Sequence, residues 1–223
     1  MTLSVIIPAL NEAENIGAVV EAVLRAKPHE VIVVDGGSMD ATAEIAAQAG
    51  AIVLTSPPGR GLQQRLGAER AQGEALLFLH ADTKLPENFP AITAEILRRK
   101  NIAGGAFRFK LEESGLVFGW IERLVDWRCR FFDLPYGDQA LFVRAEVLKL
   151  IGGYPALPIM EDYELVRKLK RVGRIEVAEE EAITSARRWR RLGALHASLT
   201  NIACLAAYKL GVSAETIARR RRT

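Results

Sequence analysis

The chain has 223 residues, of which 49% are hydrophobic and 26% are charged, and its formal net charge is +3. These values are typical of one globular domain, or of one domain with an appendage, and they exclude a disordered or fibrous protein. Residues 187–223 contain nine basic side chains and one acid, which give a net charge of +8 and leave −5 for the first 186 residues. The basic tail is therefore expected to meet an anionic partner, such as a phospholipid surface, a phosphorylated acceptor or nucleic acid.

Short apolar runs alternate with amphipathic segments over the first hundred residues. These patterns predict strands at 3–8, 31–34, 52–54 and 75–79, and helices at 12–26, 41–49 and 62–71. Asn11 is the expected N-cap of the first helix, with Glu14 completing a capping box, and Asp40 is the expected cap of the second. The alternation predicts a parallel, doubly wound α/β sheet, in which right-handed crossovers bring the carboxyl ends of the strands to one edge.

The second half of the chain is less regular. Its patterns predict strands at 103–111, 140–143, 174–177 and 182–185. They predict helices at 86–99 (with a proline at the start), 116–132, 161–172 and 192–210, and one more helix that follows the strand 140–143 and ends at 151. Cys129 and Cys204 have no metal-ligand spacing and are expected to be reduced core residues, which fits a reducing compartment. The apolar start has no basic leader and is interrupted by Pro8, so no signal peptide is expected.

Polar residues follow the predicted strands at the edge where open α/β sheets bind ligands. His80 and Asp82 follow the fourth strand, and together they could hold a divalent cation that in turn holds a diphosphate. Asp35 ends the second strand and needs a donor, either a base or ribose group of a ligand or the amides of its own turn. There is no glycine-rich dinucleotide loop and no Walker motif, which argues against a dinucleotide oxidoreductase and an ATPase.

The chain resembles the inverting family 2 glycosyltransferases of GT-A fold in three motifs, VIIPALNEAENI, VIVVDGGSMDAT and LLFLHADT, and in the later pairs Gly137-Asp138 and Glu161-Asp162. The resemblance covers roughly residues 3–190 and is closest to a small bacterial subgroup with LHAD in place of Asp-x-Asp. It implies a Rossmann-like, mostly parallel sheet flanked by helices. It also implies a nucleotide-diphospho-sugar donor, with UDP- and GDP-sugars as the leading candidates, and a Mg²⁺ or Mn²⁺ cofactor.

The resemblance also implies roles for residues of the first half, the nucleotide-sugar half at about 1–100. Pro8, Ala9 and Glu12 would line the nucleotide pocket, with Glu12 reaching the ribose or base. Asp35 would meet the base. Arg60 would contact the diphosphate, unless it is a solvated loop arginine.

Two acids carry the implied chemistry. Asp82 matches the second acid of Asp-x-Asp, the metal ligand, and His80 stands where the first acid contacts ribose and metal. An ordinary strand-end histidine is the alternative for His80. Asp162 matches the catalytic base that takes the acceptor proton, and its helix N-terminus would favour the ionised form. An ordinary acid in the first turn of a helix is the alternative for Asp162.

The acceptor half, about 101–190, contains the remaining expected site residues. Asp138 and Glu161 are expected near the acceptor, with a turn carboxylate and a solvated helix acid as the alternatives. Arg188 and Trp189, after Ser185, partly match the Gln-x-x-Arg-Trp motif of processive family members. They are expected to contact the diphosphate or the acceptor, and the Ser185 replacement argues against processivity.

The tail, residues 191–223, is expected to be a basic and apolar helical extension. A membrane span is not expected, because polar residues interrupt its apolar stretch. The tail helix would pack on the body or on a second copy in a homodimer, or lie on anionic lipid at the inner face of the membrane. The function that the family resemblance implies is a cytoplasmic inverting glycosyltransferase with an unidentified hydroxyl acceptor, for which a lipid-linked molecule is one candidate.

Three other functions are less well supported by the sequence. The single acid of LHAD leaves open a nucleotide-sugar binding or regulatory protein without turnover. A nucleotidyltransferase is disfavoured, because the loop after the first strand has neither glycine nor a basic residue. Nucleic-acid binding is not expected, because no aromatic platform or recognition motif accompanies the basic tail.

Overall fold

The computed structural model describes residues 1–132 and 134–222, without the side chains of residues 188, 191, 192, 194, 195 and 222. The strands are β1 Leu3–Ala9, β2 Glu30–Asp35, β3 Ile52–Thr55, β4 Ala75–Phe78, β5 Thr83–Lys84, β6 Ile102–Leu111, β7 Phe142–Arg144 and β8 Arg174–Thr184. The helices are α1 Ile16–Arg25, α2 Thr42–Gln48, α3 Arg60–Arg70, α4 Phe89–Arg98, α5 Leu116–Phe132, α6 Ala145–Leu150, α7 Glu161–Leu169, α8 Arg187–Leu192, α9 Ala194–Lys209 and α10 Ala214–Arg222.

The strands form one sheet in the order β3-β2-β1-β4-β7-β6-β8-β5. Strands β3, β2, β1 and β4 are parallel to one another, as are β6 and β8, whereas β7 and β5 pair antiparallel with their neighbours. This arrangement confirms the predicted mixed α/β fold with a mostly parallel sheet. Because β1, β2 and β4 run in one direction, the segments that follow them lie side by side at one edge.

Strand β1 is buried along its whole length, and its side chains alternate between two cores. Val5 and Ile7 pack with apolar residues of α1 and α4, whereas Ile6 packs on the other face with Phe78 and Tyr154. Burial of a side chain such as Ile6 is worth about 1.5–3 kcal/mol. These two apolar layers hold the strand ends, and the polar turns that follow them, in place.

The first helix begins later than predicted, and Asn11 is not its cap. Helix α1 starts at Ile16 with Asn15 in the N-cap position, while Asn11 takes a left-handed backbone with φ 54°. The Asn11 N–H donates to Ser38 Oγ (2.9 Å), and its Oδ1 accepts from Met39 N–H (2.9 Å). Asn11 therefore joins the turn after β1 to the turn after β2. The local sequence pattern does not distinguish this role from helix capping.

Two further boundaries differ from the prediction. Helix α4 begins at Phe89, so the proline in its first turn is Pro90 rather than Pro86. The two short strands expected at 174–177 and 182–185 are one strand, β8, because β8 has extra residues between Val177 and Glu181, after which its pairing with β6 resumes.

The tail is not one helix from 192 to 210. Gly193, with φ 76°, separates α8 from α9, because this left-handed backbone conformation ends the helix and favours glycine. The arginine-rich end then forms a further helix, α10. Across the described part of the chain, no helix is both long and apolar enough to cross a bilayer.

Candidate active site

A cavity of about 320 Å³ opens at the carboxyl edge of β1 and β4. It is lined by residues from both halves of the chain and from the tail. Eight of the residues expected at the site line it: Pro8, Glu12, Arg60, His80, Asp82, Asp138, Asp162 and Trp189. Three others, Ala9, Asp35 and Glu161, do not line it, and the side chain of Arg188 lies outside the described residues.

The first acidic cluster of the cavity is built around Arg187. Its guanidinium Nη2 donates to Glu12 Oε2 at 2.8 Å and to Asp82 Oδ2 at 3.3 Å. Burial raises the pKa of the Asp82 carboxyl, and the Glu12 charge adds to this, while the Arg187 guanidinium opposes both. Two carboxylates from the ends of β1 and β4 thus share one cation that comes from the start of α8.

Arg187 is not among the site residues expected from the sequence. The pairing of β5 with β8 places it here, because Thr83 lies opposite Thr184 and the Ser185 N–H donates to the Asp82 carbonyl at 3.2 Å. This contact joins residues about a hundred positions apart. The only sequence signal available for Arg187 is the density of arginines in RRWRR, which does not distinguish one arginine from the next.

The second acid, Asp162, lies in the first turn of α7. Its Oδ2 accepts a hydrogen bond from the Gly137 N–H at 3.0 Å, and its Oδ1 accepts from the Tyr163 N–H at 2.7 Å. A Cβ at Gly137 would lie 3.0 Å from His80 Nε2, so glycine allows the backbone to approach both residues. Met160, just before α7, has a left-handed backbone with φ 65°, a conformation that often marks functional segments.

The segment that presents Gly137 and Asp138 is held by the buried Gln139. Its Oε1 accepts from the Tyr136 N–H at 3.2 Å, and its Nε2 donates to the Phe107 carbonyl of β6 at 3.0 Å. The Arg128 guanidinium of α5 lies 3.7 Å from the centre of the Tyr136 ring. Burial raises the pKa of Tyr136 to about 12, so this cavity-lining phenol stays neutral at physiological pH.

Glu161 does not face the cavity. Its side chain is 1% exposed and forms an ion pair with Arg60, whose side chain is 44% exposed. Burial raises the pKa of the Glu161 carboxyl, and the Arg60 guanidinium opposes this. The pair joins the first residue of α3 to the first residue of α7. Arg60, which lines the cavity, is therefore already paired with Glu161.

The carboxylate of Asp35 contacts its own turn. Its Oδ2 accepts from the N–H groups of Gly37 and Ser38, both at 3.0 Å, and its Oδ1 accepts from the Ser38 hydroxyl. These contacts match the alternative in which Asp35 bonds the amides of its own turn. The Ala9 carbonyl accepts from Gln63 Nε2 at 2.7 Å. A contact of Asp35 or Ala9 with a nucleotide stays a prediction.

The carboxylates of Asp82 and Glu12 fit a divalent cation of the Mg²⁺ type. Within the described ranges no group of three or more His, Cys, Asp or Glu side chains is arranged to hold a metal ion. Mg²⁺ is commonly held by one or two carboxylates together with substrate phosphates and water. The Arg187 guanidinium already lies between these two carboxylates, which shows that the position suits a positive charge.

Several residues that sequence reasoning missed also line the cavity. Tyr163 of α7, Asn201 and Leu205 of α9 and Arg221 of α10 are among them. Asn201 and Leu205 sit in a helix with no motif, and Arg221 is one of four consecutive arginines, so the sequence contains no signal that selects them. Their presence means that the tail closes one side of the cavity.

Comparison with known proteins places the chain among glycosyltransferases. The model of the Glycosyl transferase family 2 matches residues 4–134. A Mycobacterium tuberculosis protein described as an uncharacterized glycosyltransferase is 31% identical over 168 residues, which cover 69% of this chain and 75% of that protein. The glucosyl-3-phosphoglycerate synthase of Mycolicibacterium smegmatis is 32% identical over 130 residues, which cover 51% of this chain and 43% of the synthase.

Solved structures show the same fold. The M. tuberculosis glucosyl-3-phosphoglycerate synthase in complex with Mg²⁺ and UDP superimposes with a TM-score of 0.58 and 21% identity, over 82% of this chain and 69% of that one. S. aureus TarS superimposes with a TM-score of 0.66 and 19% identity, over 83% of this chain but only 37% of TarS. These likenesses confirm the expected GT-A arrangement of the sheet and its flanking helices.

Proposed function

Because the chain belongs to glycosyltransferase family 2, we propose that it transfers a sugar from a nucleotide-diphospho-sugar to an acceptor hydroxyl, with inversion at the anomeric carbon. The observation that supports this most directly is the presence of Asp82 and Asp162 in one cavity at the ligand-binding edge of the sheet. Asp82 is suited to a cation that holds the leaving diphosphate, and Asp162 is suited to take the acceptor proton.

In the proposed reaction, Asp162 takes the proton of the acceptor hydroxyl while the hydroxyl oxygen attacks the anomeric carbon. The bond from this carbon to the diphosphate oxygen breaks on the opposite face, and the nucleoside diphosphate leaves with the bonding electrons. The Gly137 N–H holds Asp162 Oδ2 and leaves the carboxylate able to accept a further hydrogen bond.

The donor diphosphate needs positive charge as it leaves. Asp82, with Glu12 beside it, would hold a Mg²⁺ or Mn²⁺ ion, and the ion would neutralise the charge that develops on the leaving group. We further propose that Arg187 acts as the cation of this site when no donor is bound, and that it turns from the two acids to the diphosphate when the donor arrives. Its 42% exposed side chain has room for this movement.

The donor is expected to be a UDP- or GDP-sugar, and the UDP complex of the mycobacterial synthase supports the first of these. Residues 1–100 would bind the donor, residues 101–190 the acceptor, and residues 191–223 would form the tail. The acceptor is a hydroxyl compound, with a lipid-linked molecule as one candidate. We propose that the protein works in the cytoplasm or at the inner face of the membrane.

A thermal-shift panel tests donor binding and cation dependence together. The full chain is heated with UDP-, GDP-, CDP- and dTDP-sugars, with and without Mg²⁺ or Mn²⁺. We expect one nucleotide to raise the melting temperature, and to do so only with the cation. No shift with any nucleotide sugar would contradict the proposal.

The single acid of LHAD motivates one competing function, a nucleotide-sugar binding or regulatory protein without turnover. Incubation of the bound donor with a panel of hydroxyl acceptors separates the two functions. Sugar transfer, or slow hydrolysis of the donor, supports the transferase. Tight donor binding without either reaction supports the binding protein.

A further inference from the structure

Helix α5 has one face packed on the body and one face that carries large apolar side chains into solvent. Its inner residues Ile121, Val125 and Cys129 are buried against Phe109 and Leu111 of β6. The outer residues form what we call the α5 stripe: Leu116, Val117, Trp120, Leu124, Trp127, Phe131 and Phe132, which are 50% to 88% exposed.

The α5 stripe is continuous along the helix. From Val117 to Phe131 its members recur every three or four residues, which places them on one side of an α-helix, and Leu116 and Phe132 extend the two ends. The Trp127 ring lies 5.5 Å from the Phe131 ring and 5.3 Å from the Phe132 ring, centre to centre. Apolar patches of this kind mark surfaces that meet a partner or a membrane.

The charges on this side of the helix select the partner. Arg123 and Arg130 are exposed and lie three residues after Trp120 and Trp127, within the same stretch of surface. Aromatic rings interleaved with arginines are typical of helices that lie in the interface of an anionic bilayer.

The two described acids of the helix lie near basic residues of β6, although Asp126 is also exposed. Glu122 accepts from Lys110 Nζ and from the Leu111 N–H, both at 3.0 Å, and Asp126 lies close to Arg108 of β6. A two-fold contact between two α5 stripes would bring the exposed Arg123 and Arg130 of one copy toward those of the other. An anionic lipid surface offers phosphates to both arginines as well as an apolar layer to the stripe, and we take it as the partner.

The stripe is connected to the cavity through α9, which contacts α5. Leu199 and Ile202 of α9 are 56% and 63% exposed, whereas Asn201 and Leu205 of the same helix line the cavity. One helix thus joins the apolar surface to the wall of the candidate active site.

We propose that the α5 stripe docks the protein on an anionic lipid bilayer. Trp120, Trp127 and Phe131 enter the headgroup region, and Arg123 and Arg130 contact lipid phosphates. This inference goes beyond sugar transfer and does not depend on it. Docking would bring the cavity close to acceptors that are held in a membrane.

Flotation of the full chain with vesicles tests the docking surface. Vesicles of phosphatidylcholine mixed with phosphatidylglycerol are compared with vesicles of phosphatidylcholine alone. We expect binding to the anionic vesicles that weakens with salt, and a loss of at least about tenfold in the double variant W120S/W127S. The matched control is M39S/L150S, which removes side chains that are 94% and 73% exposed elsewhere and should bind as the wild type does.

A second pair of variants tests the charge contribution. R123Q/R130Q should weaken binding to the anionic vesicles, whereas R70Q/R98Q, with the same charge loss on α3 and α4, should weaken it less. Circular dichroism of each variant checks that the fold is retained.

Three results would overturn the inference. The first is no vesicle binding by the wild type, and the second is equal vesicle binding by W120S/W127S and the wild type. The third is a wild type that binds no vesicles but forms a dimer, which W120S/W127S converts to a monomer. The last result would assign the stripe to a second copy of the chain. Because no donor is present in the vesicle assay, its failure leaves the transferase proposal untouched.

Discussion

The region from β1 to β4 and the region from α5 to α10 hold their cavity residues in different ways. In the first region, Glu12 and Asp82 follow strands that are buried on both faces. In the second, the cavity residues come from α7 to α10 and from the segments before them. Helices α5 and α9 of this region carry exposed apolar side chains on their outer faces. A cation that holds a diphosphate needs carboxylates at fixed positions, and buried parallel strands supply such positions. A region that meets an acceptor, or a membrane, can leave apolar surface unpartnered.

The largest effect is expected in the second region, at Asp162. D162N should lower the rate of sugar transfer by about 10²- to 10⁴-fold, because the amide cannot take the acceptor proton. Donor binding, measured by calorimetry, should stay close to that of the wild type. The exposed acid Glu146 gives a control, E146Q, that should keep full activity. Full activity in D162N would remove Asp162 as the base.

The matching change in the first region is D82N. It should weaken the binding of donor with Mn²⁺ by at least about tenfold, because the site loses the carboxylate that we assign to the cation. Calorimetry with the donor, with and without Mn²⁺, measures this loss. E87Q, at an exposed acid on the same segment, is the control. Unchanged Mn²⁺ dependence in D82N would place the cation elsewhere.

The comparison also predicts opposite effects of alanine at two helical glycines. A Cβ at Gly67 of α3 would lie 2.5 Å from Cγ2 of Ile6, so G67A should lower the free energy of unfolding by about 1–3 kcal/mol. A Cβ at Gly119 of α5 meets nothing within 4 Å, so G119A should raise it by about 0.5–1 kcal/mol. Urea denaturation measures both. Equal destabilisation would mean that α5 packs as tightly as α3.

The smallest effect is expected at Arg187, where the two regions meet. In the absence of donor, R187Q should bind Mn²⁺ about threefold more tightly, because the guanidinium no longer competes for Glu12 and Asp82. Donor binding should weaken in the same variant. Electron paramagnetic resonance of free Mn²⁺ measures the first quantity. R190Q is the control, since Arg190 pairs with Glu113 at 2.8 Å. Weaker Mn²⁺ binding in R187Q would contradict the proposal that Arg187 occupies the cation position when no donor is bound.

Much of the first region could be predicted from the sequence. Strands β1, β2 and β4 are continuous apolar runs that end in polar residues, and the cavity includes Glu12, His80 and Asp82 from the segments after β1 and β4. The error at Asn11 arose because a capping residue and a turn residue share the same side-chain chemistry. The roles of these residues in donor binding stay predictions.

Less of the second region could be predicted. The split of β8 into two strands was wrong because its acidic middle interrupts the apolar pattern, while its pairing with the distant strand β6 resumes after that interruption. Glu161 and Asp162 are neighbours in the sequence, yet one carboxylate pairs with Arg60 and the other faces the cavity. A local pattern does not separate two acids in the same helical turn.

The sequence by itself determined the α/β alternation, the edge at which the ligand site forms and the acids that end the strands there. Those features follow from apolar periodicity and from turn chemistry, which act over a few residues. The tertiary structure decided that Arg187 lies between Glu12 and Asp82, that Gly137 holds Asp162, and that one face of α5 remains exposed. These features depend on the order and register of strands far apart in the chain, and such long-range pairings leave no periodic signal in the sequence.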